Sequence, residues 1–148
     1  MIKIWLFIYF AVFIWSFLNP KDLFTWFLEV LPAIIALIVL AITYKNFRLT
    51  PLVYSLILIH CIILMVGGHY TYSEVPLFDF IKDILQQERN NYDKLGHLAQ
   101  GFIPAMIARE IIIRKSIITI DSWRNFFIIC FCLAFSAFYE LIEWWVAI

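Results

Sequence analysis

Six side chains able to ligate a metal or move a proton lie within or at the ends of long apolar stretches: Glu29, His69, Asp93, His97, Glu140 and Glu143. Asp93 and His97 are four residues apart, and Glu140 and Glu143 three, so each pair shares one face of a helix. Carboxylates and imidazoles at such offsets are how helical bundles build metal sites. This ligand mix suits zinc, manganese or iron better than magnesium. The spacing therefore predicts a divalent metal such as Zn or Mn on His69, Asp93 and His97. Glu140 or Glu143 would serve as a further ligand or general base. Lys94 is expected to act on a substrate phosphate, with Arg89 beside it and Tyr70 and Tyr72 as hydrogen-bond donors.

Each assignment has a plainer alternative. Asp93 next to Lys94 near a helix start simply complements the N-terminal dipole. His97 can donate to a neighbouring carboxylate as packing glue. Glu143 sits beside Trp144 and Trp145, where a membrane edge would solvate it. Glu29 is a single acid within an apolar run, and His60 reads as a packed histidine. Glu110 and Arg114, four apart, read as a local ion pair.

The elements that must position these groups follow from hydropathy. Of 148 residues, 64% are hydrophobic, 19% aromatic and only 15% charged, far from the balance of a water-soluble domain. Mean hydropathy is +0.90, and no water-soluble interior hides that much apolar surface. A crossing helix needs about 20 mostly apolar residues. The chain offers spans near 4–18, 23–44, 51–68, 93–113 and 125–148. The fold expected is all-α, a single transmembrane domain of about five helices. Between the third and fourth spans, residues 77–85 carry apolar side chains at helical spacing, which predicts a short amphipathic helix lying on the membrane surface. The first span has no small-residue cleavage site after it, so it reads as an uncleaved anchor.

Lys3, Lys45, Arg48, Arg114, Lys115 and Arg124 fall on one side of this topology, and Lys21, Lys82, Arg89 and Lys94 on the other. The positive-inside bias puts the N-terminus in the cytoplasm. His69, Asp93, His97, Glu140 and Glu143 then share the outer membrane face, with Glu29 about 9 Å deep. Net charge is zero, which excludes the basic stripe a nucleic-acid binder needs. Cys61, Cys130 and Cys132 all sit in apolar runs and read as small hydrophobes rather than a disulfide framework.

Three motifs in order, Gly67-Gly68-His69-Tyr70-Thr71-Tyr72-Ser73-Glu74-Val75-Pro76, Tyr92-Asp93-Lys94-Leu95-Gly96-His97 with Gln100-Gly101, and Tyr139-Glu140-Leu141-Ile142-Glu143-Trp144, carry a family likeness. Across residues 20–148 the chain resembles the YjdF-like family of bacterial inner-membrane proteins. The Asp93-Lys94-x-x-His97 element also looks like one in VanZ-like membrane proteins. The resemblance implies a plasma-membrane location, and for VanZ-like relatives a link with glycopeptide tolerance. It also implies a further C-terminal segment, which this sequence lacks. The reading preferred from the residues is a metal-assisted enzyme acting at the bilayer on a lipid or cell-envelope precursor. Alternatives are a small proton- or ion-coupled transporter and a non-catalytic membrane scaffold.

Overall fold

The computed structural model describes residues 2–146, and at Glu143 and Val146 the backbone alone. Six helices follow in order: α1 (Ile2–Phe17), α2 (Leu23–Thr43), α3 (Pro51–Tyr70), α4 (Pro76–Ile84), α5 (Tyr92–Arg114) and α6 (Asp121–Val146). Among the described residues there is no strand. Packing divides the chain into two compact units, residues 1–97 and 98–148.

Local sequence sets the helix starts. Asp22 caps α2, its Oδ1 accepting the Thr25 backbone N–H at 2.6 Å. That bond holds the exposed Asp22 carboxyl below the usual carboxylate range. Thr50 caps α3, with Pro51 in the first turn, where its missing N–H costs nothing. Pro76 opens α4 in the same way.

In the first unit α3 is the hub, packed against both α1 and α2. Val53, Tyr54, Ile57, Cys61, Leu64, Met65 and Gly68 recur at helical spacing and are all buried. At Gly68 the helices close up, since a Cβ there would lie 3.2 Å from Glu29 Cβ and 3.3 Å from Val30 Cγ2. The polar tips of the buried aromatics end on neighbouring helices. Trp5 Nε1 donates to the Tyr54 carbonyl at 2.8 Å, and Tyr9 Oη to the Ala33 carbonyl at 2.9 Å. Trp26 Nε1 donates to Ser16 Oγ at 3.1 Å, and Ser16 Oγ donates onward to the Phe13 carbonyl at 2.9 Å. Burial of such groups is tolerable only when each finds a partner.

The second unit holds the rest of α5 and α6. Glu110 is buried and receives Arg114 at 2.6 Å, the ion pair that the four-residue spacing predicts. On α6, Arg124 pairs with Asp121 at 2.8 Å. Of the large apolar side chains described on α6, only Ile128 is buried.

Outward faces are apolar in both units: Phe7 is 74% exposed, Ile42 71% and Leu133 66%. That inverts the arrangement of a water-soluble bundle and fits lipid as the solvent. By length and apolarity together, three helices among the described residues can cross a bilayer: α2, α3 and Asp121–Ile142 of α6. The expectation of five such helices is met only in part. α1 is apolar but for Lys3 and Ser16, and only 16 residues long, about 24 Å. α5 has 23 residues but carries Asp93, Lys94, Arg109, Glu110 and Arg114. The short helix expected over 77–85 is α4, one residue earlier, and α6 starts four residues before the expected 125 because Asp121 and Arg124 pair in its first turn.

Ser16 supplies the acceptor for a buried indole. Ser16→Ala should lower unfolding stability in detergent by about 1–3 kcal/mol, and thermal melts of purified protein check this. An unchanged melting temperature would mean that the Trp26 bond is not worth making.

Candidate functional site

The C-terminal end of α3 gathers most of the polar chemistry of the first unit. His69 lies in the last turn of that helix, where a basic group complements the dipole. Its Nδ1 is 3.0 Å from the backbone oxygen of Ser16, 53 residues away in sequence. A carbonyl oxygen can only accept, so Nδ1 carries a hydrogen and donates it. The neutral ring then keeps its lone pair at Nε2. The imidazole is held between Trp15, with ring centroids 4.6 Å apart at 33°, and Tyr70, edge-on at 4.6 Å. Lys21 closes the same corner: its backbone N–H donates to the His69 carbonyl at 3.2 Å, and its ammonium pairs with Glu74. One tautomer and one orientation of His69 are thus set by α1 and the α1–α2 connection.

Tyr72 joins this corner to the start of α5. Thr71 and Tyr72 both take left-handed backbone conformations, with φ of 57° and 55°. Neither is glycine, so each costs about 1–2 kcal/mol. The N–H groups of both residues reach the Gly67 carbonyl, that of Tyr72 at 2.9 Å. The reversal lays the Tyr72 ring over Gly67, where any Cβ would overlap it. A Cβ at Gly96 would lie 3.0 Å from the same ring. Two glycines on two helices therefore make the slot for one tyrosine. Tyr92 stands 5.7 Å from Tyr72, donates its hydroxyl to the Ile63 carbonyl at 3.1 Å, and takes Phe78 of α4 edge-on at 5.0 Å.

Buried Asn90 fixes the entry to α5. Its amide donates to the Val75 carbonyl at 3.0 Å and to Asp79 Oδ1 at 3.1 Å, while its Oδ1 accepts the Tyr92 N–H at 3.0 Å. Arg89 donates to Asp93 Oδ2 at 2.7 Å, and the Lys94 N–H to Asp93 Oδ1 at 2.8 Å. The Lys94 and His97 side chains are exposed.

The expected site residues therefore fall into groups. His69, Tyr70 and Lys21 form one, Tyr72 links them to Tyr92 and Gly96 of α5, and Arg89 and Asp93 pair with each other. Glu29 stands on α2 with its Cβ against Gly68. Glu140 belongs to α6 in the second unit and is exposed. The Glu143 side chain lies outside the described residues. Among the described residues, no three His, Cys, Asp or Glu side chains are arranged to hold a metal ion. The Asp93 carboxylate is already engaged by Arg89. The zinc or manganese centre expected on His69, Asp93 and His97 therefore finds no support among the described residues.

Sequence reasoning missed two features. The structural partners of His69 lie on α1, which carries no titratable motif. Gln100 is 8% exposed and its Nε2 has no hydrogen-bond partner among the described residues. The Gln100-Gly101 pair pointed to that position without indicating an unpaired donor.

Gly67→Ala should destabilise the protein by about 1–3 kcal/mol through overpacking. Tyr72→Ala in the same chain should recover part of that loss, a non-additivity of at least about 1 kcal/mol in thermal unfolding. Strict additivity would dissociate the ring from the glycine. Gln100→Leu should raise stability by about 1–3 kcal/mol, because it removes a buried donor that has no partner. A lower melting temperature would show that the amide is satisfied.

Comparison with known proteins places the whole chain. The family described as "Predicted membrane protein (DUF2238)" matches residues 1–148. The protein "Inner membrane protein YjdF" of Escherichia coli (strain K12) is 46% identical over 137 residues, which cover 93% of this chain. The match covers 66% of that relative, so the chain spans just under two thirds of its length. No solved structure matches. With a family match from the first residue to the last, and a relative this similar, the chain belongs to the DUF2238 family of predicted membrane proteins.

Proposed function

We propose that the chain is a multi-pass protein of the bacterial inner membrane whose His69 end receives the polar head of a membrane lipid or lipid-linked envelope precursor. His69 Nε2 is the proton acceptor toward that head. The observation that carries this reading is the fixed tautomer: the Nδ1–H donated to the Ser16 carbonyl leaves the Nε2 lone pair for a ligand. The name of the Escherichia coli relative supports the inner-membrane location. In this reading the chain crosses five times, with its N-terminus cytoplasmic and the His69 end on the outer side, as the lysine and arginine distribution favours.

The roles of the surrounding groups follow from their placement. Exposed Lys94 supplies positive charge to a headgroup phosphate. Arg89 adds to it only by giving up Asp93, so its contribution is the smaller. Tyr70, packed edge-on against the imidazole, borders the same space. Apolar flanks on α1 and α3 keep the acyl part of the ligand in the bilayer, so only its head needs polar contacts. No metal enters this reading.

The test separates ligand binding from packing. In His69→Asn the amide can still donate to the Ser16 carbonyl, but nothing replaces Nε2. Wild type, His69→Asn and Lys45→Ala are placed in nanodiscs, and binding of phosphatidylglycerol against phosphatidylcholine is followed by native mass spectrometry. His69→Asn should melt within a few degrees of wild type yet bind phosphatidylglycerol at least about five-fold more weakly, roughly 1 kcal/mol. Lys45→Ala, in the connection between α2 and α3 at the other end of those helices, should bind as wild type does. Equal binding by wild type and His69→Asn would overturn the reading.

A further inference from the structure

α4 divides its apolar residues between two partners. Phe78 and Ile81 are half-buried, and Phe78 packs edge-on against Tyr92 at the start of α5. Leu77, Phe80 and Ile84 recur at intervals of three and four, so they share a second line along the helix. Each of these three is 63% exposed. The remaining side is charged, with Asp79, Lys82 and Asp83 grouped around Lys82 at 3.7 and 3.9 Å. A helix packed on its own protein through one apolar line has no need of a second, since three exposed large side chains in water are a solubility penalty.

We propose that the Leu77–Phe80–Ile84 line is a lipid-seating surface, inserted at the boundary between headgroups and acyl chains of the leaflet at the His69 end. Three observations select lipid as the occupant. α4 has nine residues, about 13.5 Å of helix, and cannot cross a hydrocarbon core of about 30 Å. It follows directly on α3, which is long and apolar enough to cross, so it starts at a membrane face. Its charged side and its free apolar line run along opposite flanks, the division of a helix lying in the interface plane.

The orientation is held rigidly. Asn90 binds both the Val75 carbonyl before α4 and Asp79 within it, so the helix cannot roll about its axis without breaking buried hydrogen bonds. Phe78 on Tyr92 adds a second point of fixation. The outward line is therefore presented to the leaflet at one angle, and α4 sets the depth at which His69, Glu74 and Asp93 meet the headgroups. This inference rests on the multi-pass reading but not on His69 binding any ligand.

Depth-dependent quenching tests it in the full chain. Exposed Cys130 and half-buried Cys132 are replaced by serine, while buried Cys61 stays. Single cysteines at Leu77→Cys, Phe80→Cys, Ile84→Cys and Asp83→Cys are labelled with bimane and reconstituted in phosphatidylcholine vesicles. Labels on the apolar line should be quenched by acyl-brominated phosphatidylcholine at least two-fold more than the Asp83→Cys label. Aqueous iodide should reverse that order. Iodide quenching equal at all four positions would overturn the proposal. So would shielding of the apolar line that disappears as protein is diluted into excess lipid, because a second copy of the chain would then be the occupant.

Discussion

The aromatic donors that enter the interior of the first unit are each answered by an acceptor, because lipid offers none. That constraint accounts for the hydrogen bonds of the first unit better than any preference for particular residue pairs. Trp5, Tyr9 and Trp26 present large apolar rings to the helix interfaces, but each also carries one donor into the interior. The acceptors are the Tyr54 and Ala33 backbone carbonyls and the Ser16 hydroxyl, all on neighbouring helices. Oily contact alone gives little reason for helices to choose one another inside a bilayer, since acyl chains are as apolar as leucine. Directional bonds from aromatic tips restore that choice. They tie α1 to both α2 and α3 and so bring the Ser16 carbonyl to His69.

His69 belongs to that same economy of partners and also exceeds it. Half of its imidazole completes the backbone of α1, and the other half retains a lone pair. The bond at Nδ1 fixes the ring's orientation through the fold itself, and such pre-organisation is what precise acid–base or binding chemistry generally requires. The corner around it is reinforced twice over, by the tilted Trp15 ring and by the Lys21–Glu74 pair. Side chains at this end are therefore held by more contacts than packing alone would demand.

Much of the helical framework was legible in the sequence because apolarity and length govern it directly. The connection carrying α4 could be read for the same reason: its apolar residues repeat at helical spacing within a stretch too short to cross. The role of the glycines was not legible: a Cβ at Gly101 would meet nothing within 4 Å. Gly67 and Gly96 instead receive the Tyr72 ring, and that depends on two successive left-handed residues that no local pattern signals. The expected metal set finds no support among the described residues for a related reason. Spacing along one helix says which side chains share a face, but not that a backbone carbonyl on α1 holds His69 through Nδ1. That bond joins residues 53 apart, and hydropathy carries no record of it, whereas the Arg89–Asp93 pair is local, four residues apart.

The Tyr72 slot also has a history in time. Its first wall, Gly67, emerges five residues ahead of the ring, but the second, Gly96, follows twenty-four residues later. Until that second wall arrives, the ring has only one surface to lie on, and the costly left-handed turn is only half repaid. A chain inserted from its N-terminus would bring α1, α2 and α3 together first and close the His69 corner against α5 afterwards. The last contact of the first unit to settle is then the Tyr72 ring between its two glycines, so an incompletely made chain would hold its helices before it could hold that ring.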